Sequence, residues 1–132
     1  MKNEKHSLTV INSNARSLCP KINSLIDCFD ETKASIGIIT ETWLTDGNGL
    51  DDDVDDLLHG AGLGFLYKNR AANSRGFSHG GVGIFFREGD LSLTQMKMYN
   101  PDNYEVLSAI GTIKGLSRKI VVISCYLPPT MR

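Results

Sequence analysis

The sequence has no apolar run approaching the ~20 residues of a membrane-spanning helix. Its longest, around Ile36–Ile39 and Ile120–Ile123, are far shorter, and a membrane protein is not expected. Cysteine is scarce too. Cys19, Cys28 and Cys125 leave one thiol unpaired in any disulfide scheme, and none shows the Cys-x-x-Cys or Cys/His spacing of a zinc site. They read as reduced thiols of an intracellular protein, nuclear or cytoplasmic. The N-terminus agrees: Met1–His6 is charged, but the apolar run behind it, Leu8 to Ile11, is interrupted by Thr9 and soon meets Asn12 and Asn14, so no export signal follows.

Phosphate-loop and dinucleotide motifs are also missing. There is no Gly-Lys-Ser/Thr, and neither Gly60-Ala-Gly-Leu-Gly64 nor Gly80-Gly-Val-Gly83 has the spacing of a dinucleotide fingerprint. Asp51-x-Asp53-x-Asp55 begins like a calcium loop but has Asp56 where glycine is required and Gly62 where a bidentate glutamate is required. His6, His59 and His79 have no serine or cysteine elbow beside them, which removes support for a nucleophilic triad. An excess of one charge is absent overall, with 14 Lys+Arg against 15 Asp+Glu. The balance hides a gradient: residues 1–66 carry 5 basic and 11 acidic side chains, residues 67–132 carry 9 and 4, which leaves room for a basic surface on the second half.

What is present reads as one α/β domain, or part of one, over residues 1–132, since domains commonly run to about 100–150 residues. Ser7–Ser13 is rich in β-branched residues and predicts a strand ending in polar Asn12 and Asn14. Leu18, Ile22, Leu25, Ile26 and Phe29 form one stripe of a 3.6-residue period, predicting a helix over Leu18–Thr32 capped by Ser17 or Cys19, with Pro20 in its first turn. Ser35–Thr40 is apolar without alternation, as in a strand covered on both faces, and ends at Glu41-Thr-Trp43. The strand–helix–strand order implies a parallel pair.

Asp46–Gly64 reads as a long acidic loop with a short helical turn at Val54–His59. Beyond it, Leu63–Tyr67, Gly80–Arg87, Leu91–Met98, Tyr104–Ile113 and Lys119–Leu127 read as strands joined by turns, in antiparallel meander order. Lys68–His79 between them is a basic loop carrying Lys68, Arg70 and Arg75.

If the first two strands are parallel neighbours, Asn14 and Glu41 emerge at the same carboxyl edge, where open α/β sheets place ligand sites. A carboxylate plus a carboxamide suits a hard cation such as Mg²⁺ or Mn²⁺, which accepts one or two carboxylates and keeps its waters. The plainer alternative is that Glu41 caps the following turn and Asn14 serves its own backbone. Tyr126, at the end of the last strand, reads by itself as an aromatic with its ring in the core.

In order and spacing, Leu8-Thr-Val-Ile-Asn-Ser-Asn-Ala-Arg-Ser-Leu18, Lys21, Ile38-Ile-Thr-Glu-Thr-Trp-Leu44, Gly80-Gly-Val-Gly-Ile-Phe-Phe86 and Val121-Val-Ile-Ser-Cys-Tyr-Leu-Pro-Pro129 resemble successive blocks of the endonuclease/exonuclease/phosphatase superfamily. The Asn-x-Arg-Ser-Leu and Glu-Thr-Trp-Leu forms are most similar to the apurinic-type endonuclease domain of non-LTR retrotransposons, which precedes a reverse transcriptase. The resemblance implies that Glu41 is the metal-binding glutamate, that Asn14 helps organise the metal and catalytic centre, and that Tyr126 approaches the scissile phosphate. Trp43 is assigned to packing. The implied partner is DNA, with Lys68, Arg70 and Arg75 as candidate phosphate contacts and a solvated loop as the alternative.

Members of that superfamily continue into a second half that supplies Asp-x-Asn and a terminal Asp-His pair. Here Thr130-Met-Arg132 follows Pro129 directly. The expected fold is therefore a mixed sheet forming an incomplete half of a four-layer α/β sandwich, with Ile84, Phe86, Ile120 and Val122 exposed where a partner sheet would lie and self-association as a consequence. The expected activity is that of an N-terminal portion of a magnesium-dependent phosphodiester hydrolase, inactive alone. The alternatives are a non-catalytic remnant that binds nucleic acid or protein, and a phosphatase-branch member of the same superfamily.

Overall fold

The structure, a computed structural model, describes residues 7–44, 52–68, 80–99 and 104–127. In chain order these form β1 (Val10–Asn14), a 3-10 turn (Cys19–Lys21), α1 (Ile22–Thr32), β2 (Ile36–Thr40), α2 (Asp52–Gly60), β3 (Leu63–Lys68), β4 (Val82–Arg87), β5 (Leu91–Tyr99), β6 (Glu105–Ile113) and β7 (Lys119–Tyr126). Strands β1-β2-β4-β3 make a mixed sheet in which only β1 and β2 are parallel, and β5-β6-β7 make a separate antiparallel sheet. This is a mixed α/β architecture and part of an α/β sandwich.

The first sheet is covered twice. Its odd positions, Ile39 and Phe85, join Leu18, Ile22 and Phe29 of the α1 segment and Leu58 of α2 in one core. Its even positions, Ile36, Val82 and Ile84, join Leu91, Leu107 and Val122 of the second sheet in another. A strand buried on both faces has no polar side to display, which is why β2 and β4 show no alternation in sequence. Phe29, Phe85 and Phe65 bind the helical layer to the sheet. The Phe65 and Phe85 rings stack with centroids 3.9 Å apart, and Phe29 meets Phe85 edge-on at 6.4 Å.

The second sheet corrects the expected exposure of Ile84, Phe86, Ile120 and Val122. Ile84 and Val122 are buried, and Phe86 and Ile120 are half-buried against the same core. The strands from Leu91 onward do not extend the first sheet; they fold across its even-numbered face and cover it. The exposed apolar surface lies one layer further out, on odd-numbered β7 residues: Val121 is 50% and Ile123 57% exposed, with Leu127 beyond them at 45%. The layers are thus helices, mixed sheet and antiparallel sheet.

Two local expectations also change. The helix expected from Leu18 begins as a 3-10 turn at Cys19–Lys21 and becomes α-helical only at Ile22, with no side-chain cap at either start. Lys21 Nζ instead donates to the carbonyls of Ala15 and Arg16, tying the entry loop down. In the acidic segment, residues 46–51 lie outside the described residues, and Asp52–Gly60 form a nine-residue helix, α2, longer than the single turn expected at Val54–His59. Val54, Leu58 and Ala61, spaced four and three apart, pack on the core and suffice to seat it, while its acidic residues favour the positive end of the helix dipole. Among the described residues no helix is long and apolar enough to cross a membrane.

Candidate functional site

The parallel register sets Asn14 opposite Thr40, so β1 and β2 end side by side. Past the strand ends the chains stay zipped: the amides of Ala15, Ser17 and Leu18 donate to the carbonyls of Thr40, Glu41 and Thr42 at 2.8, 3.0 and 3.0 Å. On the other side, Thr42 and Trp43 donate to the carbonyls of Gly81 and Gly80 at 3.3 and 2.8 Å. The segment carrying Glu41 is held from both flanks.

That seam concentrates unusual backbone. Arg16, Ser17, Glu41 and Trp43 have φ of 46°, 83°, 54° and 57°, and Gly80 and Gly81 have 93° and 90°. A non-glycine residue in the left-handed region costs roughly 1–3 kcal/mol and persists where its surroundings over-determine it. Here the two flanking ladders do so, and the result is a Glu41 carboxylate aimed at β1. Asn14 Nδ2 donates to Glu41 Oε2, and Asn14 Oδ1 accepts from the Arg16 amide at 3.2 Å. An ionised carboxylate is acceptor-only and a backbone amide donor-only, so both contacts require the same orientation of the carboxamide. Asn14 is exposed and Glu41 half-buried.

Tyr126 ends β7 on the inner face of the second sheet and is buried. It borders a shallow groove of about 430 Å³ together with Asn14, Thr40 and Cys125. A larger cleft of about 760 Å³ runs from Asn14 along the open edge of β1 to Lys21, Leu25 and Cys28. Asn14 belongs to both, so a ligand lying across this edge meets Asn14, the hydrogen-bond partner of Glu41.

Of the basic residues, Lys68 closes β3 opposite Val82, and Gly80 lies beside the Glu41 segment. Arg70 and Arg75 lie outside the described residues. Among the described residues no three His, Cys, Asp or Glu side chains cluster as a metal-binding group.

One polar residue of this region went unremarked in the sequence. Glu105, the first residue of β6, is 1% exposed, and both its carboxylate oxygens accept from the Gly81 amide, at 3.0 and 3.2 Å. It is also the direct cross-strand neighbour of Tyr126. The signal was a charged residue opening an otherwise apolar strand, Glu105-Val-Leu107, where a solvated strand end is the ordinary reading.

No protein-family model matches the chain, and no curated protein matches it significantly in sequence. Solved structures do match. The human Nocturnin catalytic domain, solved with a bound sulfate anion, superposes with a TM-score of 0.64 at 11% identity, over 92% of this chain and 49% of that one. The endonuclease domain of TRAS1, a telomere-specific non-LTR retrotransposon, superposes with a TM-score of 0.54 at 19% identity, over 91% and 46%. The chain therefore shares the fold of these two domains. The chain spans about half the length of the solved domains it matches.

Proposed function

We propose that this chain is part of a divalent-metal-dependent phosphodiester-cleaving domain acting on DNA, of the kind carried by non-LTR retrotransposon proteins. The observation that supports it most is the contact between Asn14 and Glu41 at the carboxyl edge of two parallel strands, with Tyr126 on the adjoining groove.

The donor set fits Mg²⁺ or Mn²⁺. Glu41 supplies a hard anionic oxygen, and Asn14 orients that carboxylate through its amide while its own oxygen is engaged by Arg16. The ligand role thus falls to Glu41 and the orienting role to Asn14, the division that the resemblance implies. When bound, such a cation supplies Lewis acidity toward phosphate oxygens. Tyr126 is the phenol that the resemblance brings toward a phosphate oxygen, and Lys68, Arg70 and Arg75 supply positive charge for a DNA backbone. These residues bind and orient. Positioning a nucleophile and protonating a leaving group require further side chains, each worth orders of magnitude in rate, so the 132 residues alone do not turn over.

The test is Mn²⁺ titration of the chain followed by water-proton relaxation, with supercoiled plasmid as a parallel substrate. Saturable Mn²⁺ binding that falls at least about tenfold in Glu41→Gln, with no nicking by either protein, supports the reading. Equal affinity in both proteins removes Glu41 from the site. Nicking by the wild type that is lost in Glu41→Gln keeps the site and refutes the inactivity. Salt-sensitive DNA binding with no metal binding points instead to a non-catalytic nucleic-acid-binding module.

A further inference from the structure

Glu105 is a buried carboxylate, and a buried charge is costly wherever a neutral residue would do. Its position gives the charge a task. Gly80 and Gly81 turn into β4 with φ of 93° and 90°, leaving the Gly81 amide facing the inter-sheet core, where an unpaired donor would be orphaned. Glu105 reaches across from the second sheet and takes it with both oxygens. The Gly80 and Gly81 carbonyls point the other way, to the amides of Trp43 and Thr42. The Thr42 side chain sits against the Gly81 Cα, where any Cβ would collide with its Oγ1. Thr42 is itself buried, and its Oγ1 accepts from the Leu44 amide at 3.4 Å. A continuous path therefore runs from the Glu105 carboxylate through Gly81 to Thr42 and Trp43, the residues that follow left-handed Glu41.

We propose that Glu105 is a positioning residue: by anchoring the Gly80–Gly81 turn it fixes the backbone after Glu41, so that the Glu41 carboxylate is held against Asn14. This rests on Glu41 and Asn14 forming the working edge. A carboxylate suits the task better than a carboxamide because a charge-assisted hydrogen bond is about twice as strong, and two oxygens sharing one N–H hold the amide against rocking in either direction. Tyr126, directly opposite Glu105 on the same face, stands within the ~5 Å typical of cross-strand pairs, so the anchor and the phenol sit on one rigid element.

The experiment compares amide hydrogen exchange by NMR in the 132-residue chain, in Glu105→Gln and in Val122→Ala. The last makes a cavity on the same inner face without touching the turn, and conditions are matched so that both variants have equal global stability. The proposal requires the Gly81 and Trp43 backbone amides, and the Asn14 side-chain amide, to exchange at least about tenfold faster in Glu105→Gln than in Val122→Ala. Equal rates in the two variants overturn it, since a merely structural carboxylate loosens the whole core alike. Should Glu105→Gln fail to fold, the wild type decides. At sub-denaturing urea the Gly81, Thr42 and Trp43 amides must open as one unit with one denaturant dependence, and independent opening of Gly81 overturns the proposal. Mn²⁺ affinity measured alongside separates the two readings: absence of Mn²⁺ binding by the wild type counts against the metal reading alone, while the exchange pattern still decides the role of Glu105.

Discussion

Two atoms of the Phe29 ring lie 2.8 and 2.9 Å from where a Cβ on Gly37 would stand. Helix α1 is thereby seated directly on the backbone of β2, at the centre of the parallel pair whose ends carry Asn14 and Glu41. Phe29 is fully buried and also touches Phe85, so the ring has no vacant space to enter. Gly37→Ala is expected to lower stability by about 1–3 kcal/mol, the usual range for forcing a methyl into a packed core. Urea unfolding followed by circular dichroism measures it, and a loss below ~0.5 kcal/mol would mean that the helix shifts freely on the strand.

Asn14→Ala removes the donor that orients Glu41 while leaving the carboxylate in place. If Glu41 holds the cation, Mn²⁺ affinity should weaken about 10–100-fold, as for other neighbours that steer a metal ligand. Because Asn14 is exposed, the midpoint of thermal unfolding should move little. Titrating both proteins with Mn²⁺ and melting both gives the two quantities separately.

Lys21 should matter for stability more than its exposure suggests. Its ammonium bridges the Ala15 and Arg16 carbonyls at the bend between β1 and α1, where Arg16 and Ser17 are left-handed. Lys21→Met keeps the aliphatic stem and deletes the charge. The expected loss is about 1–2 kcal/mol, read from chemical denaturation, and a neutral result would show that water replaces the ammonium without cost.

Replacing Lys68, Arg70 and Arg75 together by Ala should weaken binding to duplex DNA and flatten its salt dependence. Each lost phosphate contact reduces the slope of log K against log salt by about 0.9. Fluorescence anisotropy between ~50 and 200 mM salt provides the slope, and an unaltered slope in the triple variant would clear the loop of any role in DNA binding.

The outer face of β7 should drive concentration-dependent association, since Val121 and Ile123 are both half or more exposed and lie on an edge strand. Ile123→Lys is expected to leave the fold intact and to shift sedimentation toward monomer. Association that persists in this variant would have to use another surface.

The β1–α1–β2 unit was legible from sequence because its signals are local: a 3.6-residue stripe between two β-branched runs permits few other arrangements. The meeting of Asn14 and Glu41 followed from strand direction alone. The existence of a second sheet did not, because a turn joining two strands of one sheet and a turn leading into a facing sheet use the same residues. β7 compounded this, since Val121 and Ile123 face outward while Val122 faces in, and apolar residues on both faces hide which one is the core. Of α2 only the turn at Val54–His59 was legible, because its aspartates mask a stripe of only three apolar residues. For Glu105 the pattern shows only a charge opening an apolar strand and not its role: its partner is a backbone amide 24 positions away, and main-chain donors leave no trace in a sequence.

The left-handed residues at positions 16, 17, 41 and 43 have a consequence for laboratory evolution. Glycine relieves positive φ, so a selection for heat resistance alone would be drawn to these positions and could stabilise the protein there by about 0.5–2 kcal/mol per change. At Arg16 or Ser17 such a change only alters the bend. At Glu41 it would delete the carboxylate itself, so a library screened without a binding readout would harden the fold by erasing what the fold holds in place.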